Sequence, residues 1–81
     1  SRKGARTTWA RGVARYLANS KNPPTPEELS AQVLKSPASI DADAEAAGHT
    51  PASERDPETI KQMLGVYNSI WNSRQIMEPP Q

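Results

Sequence analysis

Large apolar residues recur at helical spacing most densely near the C-terminus. Ile60, Met63, Leu64, Tyr67, Ile70 and Trp71 fall at i, i+3, i+4, i+7, i+10 and i+11, which places them on one face of an α-helix. Asp56 is a suitable N-cap, Pro57 suits the first helical position, and Glu58 favours the positive end of the helix dipole. The pattern predicts a long helix from Asp56 to about Arg74.

A second periodic stretch begins at Thr7 or Thr8, either of which can cap a helix running to about Asn19. Trp9, Val13, Tyr16 and Leu17 share its apolar face, and Arg11 and Arg15 lie a turn apart on another side. Gly12 weakens this helix by about 1 kcal/mol relative to alanine, so it should rely on packing. Pro23 and Pro24 close the following turn. Thr25-Pro26-Glu27-Glu28 then combines a capping box with proline at the first helical position, opening a short helix to about Lys35 whose apolar side is Leu29, Val33 and Leu34. Ser36-Pro37 repeats the cap-plus-proline signal. A third short helix is expected from there to Ala47, with Ile40 as its large apolar residue and Gly48 as its C-terminal cap. Thr50-Pro51 can start one further turn.

Apolar and polar residues never alternate for long enough to make a strand. The expected fold is therefore all-α: a small bundle of three to four helices with a long C-terminal helix and a flexible basic N-terminal arm. The expected boundaries are an arm over residues 1–6, a single helical domain over 7–75, and a proline-containing tail over 76–81, in which Ile76 or Met77 can still pack back.

Composition narrows what such a bundle can do. Eighty-one residues bury only a thin core, and much of the 35% hydrophobic content is alanine. A homo-oligomer or a protein partner would help it. The chain has no cysteine, which removes disulfides and thiolate chemistry. No apolar run approaches the ~20 residues of a membrane span, and nothing resembles a signal peptide, so the expected setting is intracellular (cytoplasmic or nuclear) or inside a virion. The absence of an initiator Met reads as a fragment or a processed product.

The net charge of +1 hides a strong polarity. Residues 1–22 carry Arg2, Lys3, Arg6, Arg11, Arg15 and Lys21 and no acid, a sum of +6. Residues 23–62 carry eight acids against Lys35, Arg55 and Lys61, a sum of −5. A cationic arm followed by a helix bearing Arg11 and Arg15 is a way to neutralise phosphates, so these six basic residues are the candidate nucleic-acid contacts. Trp9 and Tyr16 could stack on bases if exposed, but their apolar face assigns both to the core.

The two short helices from Thr25 to Gly48 suggest helix–turn–helix. Their opening, Pro24-Thr25-Pro26-Glu27-Glu28-Leu29, resembles one in the middle region of bacterial sigma factors and in several helix–turn–helix domains, over about a dozen residues. Helix-capping grammar accounts for the same letters. Asp41, Asp43 and Glu45 would bring carboxylates to phosphates in the segment that ought to enter a groove. Nor do these acids form a calcium loop, because the sixth and twelfth positions from Asp41 are Ala46 and Ala52 rather than Gly and Glu. His49 is the sole histidine, and no nucleophile context or glycine-rich phosphate loop is present. The reading is of a non-enzymatic module without metal or cofactor. The Ser/Thr-Pro pairs at Thr25, Ser36 and Thr50 are possible phosphorylation sites, but caps followed by proline explain them equally.

The back of the long helix is the remaining signal. Gln62, Asn68, Ser69, Asn72 and Ser73 make it polar but nearly uncharged, and Val66 widens the apolar arc. Helix faces left to solvent usually carry more Lys and Glu. Gln62, Val66, Asn68, Ser69, Asn72 and Ser73 are accordingly the candidate partner interface. An assembly or adaptor role, as in a viral or phage structural protein, is the alternative to nucleic-acid binding.

Overall fold

A computed structural model describes residues 2–77, with the side chain of Arg2 outside the description. The chain forms a small all-α bundle: α1 (Arg2–Ala18), α2 (Pro26–Lys35), a 3-10 turn (Pro37–Ile40), α3 (Asp41–Ala46), a second 3-10 turn (Ala52–Glu54) and α4 (Pro57–Met77). The prolines at the end of the sequence lie outside the described residues.

Three ties fix how α1 lies on α4. Arg6 meets Asp56 at 3.0 Å, the Gln62 amide donates to Thr7 Oγ1 at 2.9 Å, and Arg74 donates to the Ala18 carbonyl at 2.6 Å. The starts of the two helices are together and so are their ends, so α1 and α4 run parallel. Ala10 and Ala14, both fully buried, keep the side of α1 small enough for close approach, with Trp9, Val13 and Leu17 filling the gaps beside them. The return leg is α2, which runs antiparallel to α4. The Tyr67 hydroxyl near α4's middle donates to the Pro24 carbonyl just before α2, at 2.5 Å, while Val33 and Leu34 near α2's end line a cavity with Pro57 and Ile60. Burial pushes the Tyr67 phenol above its ordinary pKa, so it stays a donor to that carbonyl.

Local chemistry sets several boundaries where the sequence predicts them. Thr25 Oγ1 accepts from Glu28 N–H while the Glu28 carboxylate accepts from Thr25 N–H, completing the capping box. Asp56 Oδ1 accepts from Thr59 N–H at 2.8 Å and caps α4. Gly48 adopts φ +86° after α3; its N–H reaches Glu45 O and the His49 N–H reaches Ala44 O, the paired bonds of a Schellman ending.

Other expectations need correction. Residues 2–6 are not a flexible arm but the opening of α1. Arg, Lys and Ala are good helix formers. Thr7 and Thr8 do not cap, because their hydroxyls bond back to Lys3 O and Gly4 O four residues earlier, as mid-helix threonines do. The third helix divides. Ile40, at φ −114° and ψ 18°, breaks the spiral between the 3-10 turn and α3 while its side chain points into the core. The turn after Thr50-Pro51 is 3-10 rather than α. α4 continues beyond Arg74, and neither Ile76 nor Met77 packs back, being 81% and 77% exposed.

Candidate functional site

The basic residues of the N-terminal segment separate into two groups once α1 is folded. Arg6 is drawn toward α4 by Asp56, and Lys3 stands exposed a turn earlier. Arg11 and Arg15 are exposed on the outer side, about 6 Å apart along the axis and about 40° apart around it. Lys21 is exposed in the turn that follows. Among the described residues, Arg6–Asp56 is the ion pair present, and none of Arg11, Arg15 or Lys21 has a carboxylate partner. α1 thus presents Arg11 and Arg15 to solvent with their charges uncompensated by direct contact.

The aromatics divide as well. Trp9 is 2% exposed, and its indole N–H donates to the Thr50 carbonyl at 2.9 Å. The Arg55 guanidinium lies 5.9 Å from the Trp9 ring centroid and donates to Thr50 Oγ1, so the segment after α3 closes over the indole. Tyr16, expected in the core, is instead 40% exposed next to Arg15. Seven residues make about two turns, so Trp9 and Tyr16 point in nearly the same direction. Cover distinguishes them: Thr50 and Arg55 reach the first and not the second. Arg11 and Arg15 share the outer side of α1, while Tyr16 is exposed about 100° further round the helix from Arg15.

Close packing on the side of α1 between Arg15 and Tyr16 explains Gly12. A Cβ there would come within 2.3 Å of His49 Nε2, so the glycine makes room for the imidazole.

Arg55 and Arg74 were missed by sequence reasoning. Arg74 donates to Ala18 O and to Asn19 Oδ1, both at 2.6 Å, and so closes the carbonyl end of α1 from outside. A cation near the end of a long helix is an ordinary sequence feature. Only the parallel pairing of α1 and α4 gives it that carbonyl end to bind.

The candidate partner face on α4 is only partly open. Asn68, Ser69, Asn72 and Ser73 are exposed. Gln62 is half-buried and spends its amide on Thr7, and Val66 packs against the core. Within the acidic middle, Asp41 accepts from Ser53 N–H at 2.9 Å and from the Ser53 hydroxyl at 2.7 Å, pinning the second 3-10 turn to α3. Among the described residues no three His, Asp or Glu side chains converge as metal ligands, and no helix is long and apolar enough to cross a membrane. Comparison with protein-family models, curated proteins and solved structures finds no match.

Proposed function

We propose that this protein is a non-enzymatic helical module that binds nucleic acid through the outer side of α1. The observation that carries this reading is the exposed pair of Arg11 and Arg15, whose guanidinium groups meet no carboxylate among the described residues; Tyr16 is exposed on an adjoining side of the helix. Lys3 and Lys21 extend the pair at either end, and Arg6 can join by exchanging Asp56 for a phosphate. The guanidinium forks suit phosphate oxygens, and the tyrosine face suits an unpaired base. Such a module would work in the cytoplasm or nucleus, or inside a virion.

Binding of a fluorescently labelled oligonucleotide, followed by anisotropy across a salt series, tests the reading. With about four phosphate contacts, affinity for a duplex should fall about 100-fold between about 50 and 200 mM salt. Arg11→Gln combined with Arg15→Gln should weaken binding to every sequence and flatten the salt dependence. Tyr16→Leu should weaken single-strand binding and spare duplex binding. No binding at low salt, or binding indifferent to salt, overturns the proposal.

A second reading, an assembly module, is favoured by a different observation: Ile76 and Met77 stand exposed at the end of α4, beside the uncharged Asn72 and Ser73.

A further inference from the structure

We infer that copies of this protein associate head to tail, with the end of α4 of one copy, Ile76 and Met77, seated in the apolar cavity at the start of α4 of the next. The inference develops the assembly reading and does not depend on nucleic-acid binding.

The receiving site is a cavity of about 130 Å³ lined by Val33, Leu34, Pro37, Pro57 and Ile60, with Arg55 as its one charged wall. Its size is comparable to engineered apolar cavities of about 150 Å³ that admit a benzene ring, so it has room for one aliphatic or thioether side chain. Leu34 is 58% exposed, apolar surface that the fold itself does not use.

The matching feature lies at the opposite pole. The last tie between α1 and α4 is made by Arg74, and the next residues carry Ile76 and Met77 into solvent. Pro57 and Met77 are separated by about 30 Å of rigid helix, so a single copy cannot fill its own cavity with its own helix end. A second copy presents the same exposed Ile76 and Met77 and can supply the occupant.

Charge points the same way. Lys35 is exposed next to Leu34, Arg55 lines the cavity, and the nearby first turn of α4 is the positive end of its dipole. The incoming end is the negative end of the same dipole. Its nearby cation, Arg74, keeps its charge but is turned aside from the helix end, toward Ala18 and Asn19 of its own α1. At the receiving end Asp56 is paired with Arg6, which leaves Glu58 as the carboxylate in α4's first turn that opposes the contact. Because the two surfaces differ, the contact is heterologous and builds an open chain or a ring, not a two-fold dimer.

Sedimentation of the full chain without nucleic acid, over a concentration series reaching millimolar, tests this inference separately from the binding proposal. The expected result is a weight-average mass that rises with concentration past that of a dimer. Leu34→Asp spoils the cavity, and Ile76→Asp with Met77→Asp spoils the plug. All three positions are exposed, so circular dichroism should show both variants folded. Each variant alone should remain monomeric. Mixed, they retain one good cavity and one good plug between them, and should form a one-to-one dimer and nothing larger. A wild type that stays monomeric throughout overturns the inference, as does a dimer indifferent to both variants or a mixture that fails to pair. If Leu34→Asp fails to fold, Leu34→Ser takes its place in the mixture.

Discussion

α1 and α2 each bury one side against α4, but they are held by different kinds of interaction. α2 carries its own instructions: the Thr25 capping box, Pro26 at its start, acids in its first turn and Lys35 in its last. α1 has no acid in its first turn and includes Gly4 and Gly12. Its restraints come from elsewhere in the chain: Asp56, Gln62 and Arg74 from in and around α4, and Thr50, Arg55 and His49 from the segment after α3. A helix can thus be fixed by caps a few residues away or by contacts fifty residues away. The second kind couples it to the whole fold.

That contrast predicts that cutting long-range ties to α1 costs more than deleting α2's cap. The largest effect should be Trp9→Ala, which opens a cavity and strips the Thr50 carbonyl of its donor. A loss of about 3–5 kcal/mol is expected, read from the urea midpoint by far-ultraviolet circular dichroism. Arg74→Ala should cost about 2 kcal/mol by uncapping the end of α1, and Arg74→Lys should restore only part, since a lysine lacks the fork that reaches both Ala18 and Asn19. Thr25→Ala should cost about 1 kcal/mol. If Thr25→Ala proves more damaging than Trp9→Ala, the comparison is inverted and α2 is the element on which the fold depends.

The Gly12–His49 contact sharpens the same point. Gly12→Ala should gain about 1 kcal/mol of helix stability when made in a His49→Ala background, and less in the wild type, where the new methyl group must push the imidazole aside. Equal gains in both backgrounds would mean that His49 does not restrain α1.

The smallest expected effect is on acid stability. Hydrogen bonds from Thr25 hold the Glu28 carboxyl below its ordinary pKa, and those from Thr59 do the same for Asp56. A folded pKa below the unfolded one adds stability above the unfolded pKa and loses it as pH falls through the folded pKa. Stability should therefore decline as pH drops below about 4. Asp56→Asn should make that decline shallower; an unchanged acid profile would show that the cap does not contribute to it.

Much of the fold was legible because its signals are local. Thr25, Pro26 and Glu28 specify α2 whatever surrounds them, Asp56 and Pro57 start α4, and Gly48 ends α3. The spacing of Ile60, Met63 and Tyr67 gave the core face of α4, and all three are buried. The site was less legible. Arg11 and Arg15 were identifiable as an exposed pair from their spacing. Tyr16 was not, because it shares Trp9's direction on the helix and only a distant segment decides which of the two is covered. The start of α1 was misplaced because Thr7 and Thr8 are as suitable for capping as for back-bonding. The choice went to a helix that continues past them, with Thr7 engaged by Gln62.

By itself, then, the sequence determined α2, α4 and most of α1, where α2 and α4 start, and the greater part of their apolar stripes. These follow from backbone geometry and capping within a few residues. The tertiary structure alone decided that α1 and α4 run parallel, that Arg74 closes the end of α1, that Trp9 is covered and Tyr16 open, and that apolar surface remains at both ends of α4. Each of these depends on groups brought together from opposite ends of the chain, and no short-range pattern records that meeting.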